Sequence, residues 1–133
     1  MSRIAIAYVA TAIAFCGLDF IWLGWVAKGY YQAQVGPLLL DKPNLPVAAA
    51  FYALYIVGVL IFAVLPALEA GSWGKALLYG ALFGLFAYAT YDLTNLATLK
   101  GWSAGIAMLD LTWGAVVTGV SATVGYLVTR ALT

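Results

Sequence analysis

Four apolar runs, at residues 4–27, 47–68, 76–98 and 103–129, occupy most of this chain and fix what it can fold into. A helix rises 1.5 Å per residue, so about 20 mostly apolar residues cross a hydrocarbon core about 30 Å thick. Each run is long enough. The expected fold is therefore all-α: an integral membrane bundle of four transmembrane helices, with an interfacial segment between the first two. Residues 1–133 form one four-helix transmembrane domain on this reading, with no room for a soluble domain.

Composition agrees and excludes several classes of function. Hydrophobic residues make up 65% of the 133 and charged residues 8%, and mean hydropathy is +1.01, outside the range of a soluble domain. Net charge is +1 with the basic residues scattered singly, which leaves no patch for a nucleic-acid backbone. A single cysteine, Cys16, and the absence of histidine allow no intrachain disulfide and no thiolate or imidazole metal site, so no metal or other cofactor is expected. Cys16 reads as a small buried hydrophobe. Arg3 before an apolar run and Ala12-Ile-Ala14 imitate a cleaved leader, but the run continues to residue 27 and is expected to stay as a helix.

The connections predict topology. Lys28-Gly-Tyr-Tyr31 opens the one long connection, which closes at Pro43 and Pro46 and carries Val35, Leu38, Leu39 and Leu40 among polar residues. Such a segment lies in the headgroup region, as a connector or as a lid. The second helix is expected to end near Pro66, with a turn over residues 69–75 carrying Trp73, and Lys100-Gly101-Trp102 makes the last turn. Short turns make helices two, three and four antiparallel neighbours in an up-down bundle. Gly80 with Gly84, Gly114 with Thr118, and Ser121 with Gly125 have small-x-x-x-small spacing, which serves close packing inside the bundle. Basic residues tie three to three across the membrane (Arg3, Lys75 and Arg130 against Lys28, Lys42 and Lys100), so orientation is not readable. A protein without charge bias can insert both ways, which makes an antiparallel homodimer a candidate assembly.

Asp19, Asp92 and Asp110 lie inside the apolar runs. Each is followed three positions later, on the same helix face, by a hydrogen-bonding residue: Trp22, Asn95 and Trp113. Counted from the run midpoints, Asp19 lies about 5 Å, Asp92 about 8 Å and Asp110 about 9 Å from the membrane centre, all in one leaflet. Tyr52, Tyr55, Tyr88 and Tyr91 fall at the same level. An acid at a helix centre costs about 2.5 to 3.5 kcal/mol on insertion scales, whereas interhelical hydrogen bonds return only about 0.6 to 2 kcal/mol. These ten residues are the expected ligand- or proton-binding site. Three carboxylates in low dielectric do not all ionise cheaply, so at least one is expected to hold a proton unless a cation binds, or unless Lys28 or Lys100 reaches down to pair.

Leu85 to Trp102, around Tyr88-Ala-Thr-Tyr-Asp-Leu-Thr-Asn95, resembles the domain-of-unknown-function family 2177 of small bacterial membrane proteins. Leu18-Asp-Phe-Ile-Trp-Leu-Gly24, Phe51-Tyr-Ala-Leu-Tyr55 and the Asp110 to Gly114 stretch share its pattern, so the resemblance covers nearly the whole chain. It implies a four-helix protein of the bacterial inner membrane and carries no catalytic residue with it. Function is therefore read from the residues. The first reading is a proton- or cation-linked carrier or binder of a small cationic or polar solute. The second is an enzyme, or an enzyme's partner, acting on a lipid or isoprenoid, with the acids as acid and base or as oxygen ligands to Mg²⁺. The third is a structural subunit of a larger membrane complex.

Overall fold

The computed structural model of the chain describes residues 2–26, 29 and 44–133. Lys28, Lys42 and most of the expected interfacial segment lie outside the described residues. Four helices are long and apolar enough to cross a membrane. Helix α1 runs Arg3–Ile21 and continues into one wide π turn, Trp22–Val26; α2 spans Leu45–Ala70, α3 Trp73–Thr98 and α4 Ala104–Leu132.

Each helix starts at a polar cap. The side-chain oxygens of Ser2, Asn44, Ser72 and Ser103 accept from the backbone N–H three residues on, at 3.1, 3.3, 3.2 and 3.2 Å, and so satisfy donors that the first turn leaves free. The cap at Ser72 starts α3 at Trp73 instead of residue 76. The expected turn over residues 69–75 shrinks to Gly71 and Ser72, with Gly71 in the left-handed region at φ 65°. Helix α2 does not stop near Pro66. Proline offers no N–H and its ring crowds the carbonyl one turn back, and the chain absorbs both by widening into a π turn at Leu60–Val64 before the helix resumes to Ala70.

The core is organised on α4, whose buried stripe includes Leu111, Gly114, Val117, Thr118, Ser121, Ala122 and Gly125. Helix α3 packs along one side of it and α1 along the other, while α2 enters through its π turn and the buried Tyr55, Ile56 and Val59. The glycines set the spacing. A Cβ placed on Gly80 would lie 2.8 Å from the Ala122 Cβ and 2.9 Å from the Thr118 carbonyl oxygen; on Gly84 it would overlap the Gly114 carbonyl and Thr118. At Gly125 it would meet Thr11 of α1. Backbones come this close in a membrane because small residues let dispersion contacts form where no hydrophobic drive exists. The small-x-x-x-small pairs thus pack within one bundle.

The outer face is apolar: Phe20 is 79% exposed and Trp25 89%. That is a lipid-facing surface. Cys16 belongs to it, which corrects its expected burial. An apolar side chain in a membrane helix can face lipid as cheaply as core, so hydrophobicity alone did not decide its side.

Candidate functional site

The three acids within the spans sit in three different environments. Asp19, in the last turn of α1 and 6% exposed, accepts from the Tyr52 hydroxyl at 2.5 Å and from the Trp113 indole N–H at 3.1 Å. One carboxyl group thereby ties α1 to α2 and α4. Trp22 stacks on Trp113 with centroids 4.4 Å apart and planes 6° from parallel, closing the cluster from the π turn. The Trp22 Nε1 is buried without an acceptor.

Tyr55 works in the core below. Its hydroxyl meets Thr118 Oγ1 at 2.8 Å, and its ring contacts Phe15, Phe83 and Tyr88 at centroid distances of 5.2, 5.3 and 6.3 Å. The Tyr88 ring occupies the space that a Cβ on Gly114 would take. Gly114 therefore positions a tyrosine of the layer as well as the helix pair.

Asp92 on α3 is fully buried, and neither carboxyl oxygen has a hydrogen-bond partner among the described residues. The indole of Trp102 sits beside it, near enough to interact with the carboxyl, and its Nε1 is likewise buried without an acceptor in hydrogen-bond geometry. Tyr91 meets the Trp102 ring edge to face, with centroids 5.6 Å apart and planes at 88°. Asn95, half-buried, lies one turn beyond Tyr91 near its hydroxyl. Lys100 is exposed at the turn and does not bond Asp92, and Lys28 lies outside the described residues.

Asp110, one turn before Trp113 on α4, faces a cavity of about 340 Å³ that it lines with Phe51, Ala87, Tyr88 and Tyr91. No hydrogen bond to its carboxyl group is formed among the described residues. It is close enough to Asp19 for their charges to interact. A second cavity, about 580 Å³, lies between α1 and α2 against Cys16, Phe20, Leu23, Leu45 and the Asp19–Tyr52 pair.

Among the described residues no group of three acidic, cysteine or histidine side chains could hold a metal ion. Trp102 is the member of the layer that the sequence treats only as a turn residue. A tryptophan just past a hairpin turn reads as an interface anchor, and only the fold brings its N–H back beside Asp92.

Four spanning helices closed around a level of acids and aromatics define a multi-pass integral membrane protein. The chain belongs to the family described as "Predicted membrane protein (DUF2177)", whose model matches residues 4–127. No curated protein and no solved structure matches it.

Proposed function

We propose that this protein binds a small, partly apolar organic cation at Asp110, as a cation- or proton-linked carrier. The supporting observation is the cavity: an acid with no hydrogen-bond partner among the described residues, at the wall of an aromatic space large enough for a compact ammonium ion. Phe51, Tyr88 and Tyr91 offer ring faces, which attract a desolvated cation by roughly 0.5 to 2 kcal/mol each. Asp19 is not the recognition group, because its oxygens are already engaged by Tyr52 and Trp113. Asp92, buried with neither oxygen hydrogen-bonded among the described residues, is the group that exchanges a proton as the cation loads. The location proposed with it is the bacterial inner membrane, since these spans are helices and outer-membrane spans are barrels.

Calorimetric titration of the purified protein in detergent with tetraethylammonium tests this reading. Asp110→Asn keeps size and hydrogen bonding but removes the charge, and is expected to weaken binding at least tenfold. Asp92→Asn is expected to retain binding while losing the proton exchange seen on comparing buffers of different ionisation enthalpy. Equal affinity in wild type and Asp110→Asn contradicts the assignment. The cavity between α1 and α2 favours a second reading, a lipid or isoprenoid ligand whose tail lies along Phe20 and Leu23. Co-purified lipid displaced by filling that cavity with Ala48→Trp supports this alternative.

A further inference from the structure

We propose that Arg3 and Arg130 form a binding site for a phosphoryl anion, supplied by the headgroup of an anionic lipid, at the end of the bundle where α1 begins and α4 ends. The site is independent of the Asp110 cavity and lies at the opposite membrane face. Arg3, Arg130 and Thr133 line a cavity of about 430 Å³. Arg130 is held in place: one N–H donates to the Tyr126 hydroxyl at 2.8 Å, and the guanidinium lies 5.7 Å from the Tyr126 ring centroid. A guanidinium has five N–H donors in a planar fork, so most of them stay available for an anion.

The position of Arg3 is the more telling. It stands in the first turn of α1, where the helix dipole disfavours a cation, so it does not stabilise its own helix. It makes no hydrogen bond or ion pair among the described residues. Arg130, in the last turn of α4, suits its own helix end, but it too bonds no carboxylate. Two guanidinium groups and the positive end of α1 therefore share one cavity with Thr133 and the negative end of α4, and neither arginine forms an ion pair among the described residues. Glu69, also at this end of the bundle, is exposed and does not line it. Lys75 adds positive potential nearby but is engaged over the Tyr79 ring at 5.3 Å.

Depth selects the ligand. Residues at the ends of the membrane spans lie at the level of lipid phosphates, and a guanidinium fork matches two phosphate oxygens. A headgroup phosphate can enter the cavity while its acyl chains lie against the apolar outer face of α1, at Ile4 and Val9.

Native mass spectrometry of delipidated protein titrated with phosphatidylglycerol or phosphatidylcholine tests the site. The anionic lipid is expected to bind in preference, with the preference falling about fivefold on Arg3→Gln and again on Arg130→Gln. Arg130→Lys keeps the charge but not the fork and should fall between them. It also separates a lost anion site from a fold disturbed by losing the Tyr126 contact. If inorganic phosphate binds to the wild type but not to Arg3→Gln, and the lipid preference is absent, the phosphoryl site stands and the lipid source fails. Equal phosphatidylglycerol binding in wild type and both glutamine variants, with no phosphate bound, overturns the proposal.

Discussion

Replacing Gly84 by leucine is expected to force α3 off α4 and lower bundle stability by about 3 kcal/mol or more, at the upper end of overpacking costs. The reason is what a side chain would meet. A Cβ at Gly84 overlaps the Gly114 carbonyl oxygen, which is backbone and cannot turn aside, and Thr118, whose hydroxyl bonds Tyr55. The damage extends to the acid layer, because Gly114 in turn seats the Tyr88 ring at the wall of the Asp110 cavity. Gly17→Leu is the control: it lies on the lipid face of α1 with nothing within 4 Å of a Cβ, and should be close to neutral. Unfolding in mixed micelles with increasing dodecyl sulfate measures both. Equal loss at the two positions would mean that close α3–α4 contact is not what holds the bundle.

Asp19→Ala is expected to cost about 2 to 4 kcal/mol, while Asp19→Asn costs about 1 kcal/mol. Alanine leaves the half-buried Tyr52 hydroxyl and Trp113 N–H without an acceptor, and a donor orphaned away from water costs about 1 to 3 kcal/mol. Part of that loss is offset, since removing a carboxyl group from a membrane helix also removes its desolvation cost. Asparagine retains an acceptor oxygen for one donor and approximates the shape. Tyr52→Phe placed on Asp19→Ala should then change little, because the donor it deletes is already without a partner. Additive losses from the two substitutions would show that the clasp does not exist in the folded protein.

Spans and packing were legible because they rest on length and on residue size. Twenty apolar residues must cross, and glycines four apart must face a neighbour, whatever that neighbour is. Helix starts were less legible. An apolar window begins at its first greasy residue, whereas Ser72 begins α3 at Trp73 by offering its oxygen to the backbone. Pro66 was read as an end because a proline breaks hydrogen bonding, and the π turn that accommodates it leaves no mark in a hydropathy profile.

The acids were legible as residues inside the spans, since they interrupt apolar runs. Their partition was not. Asp19 is engaged by residues 33 and 94 positions away, while Asp92 has an indole beside it only because the Gly101 turn, at φ 79°, carries the chain back. Three aspartates at one depth look alike in sequence. What separates them is what the fold sets beside each: two donors at Asp19, an indole at Asp92 and a cavity at Asp110.

The claim that Asp110 and its aromatic neighbours select positive charge is tested most directly by comparing choline with its neutral isostere, 3,3-dimethylbutanol, on wild-type protein. The two ligands share shape, hydroxyl group and apolar surface and differ only in charge. Choline is expected to bind at least tenfold more tightly, the equivalent of about 1.4 kcal/mol from the carboxylate and ring faces together. Equal affinity for the two, or tighter binding of the neutral alcohol, would contradict a cation site.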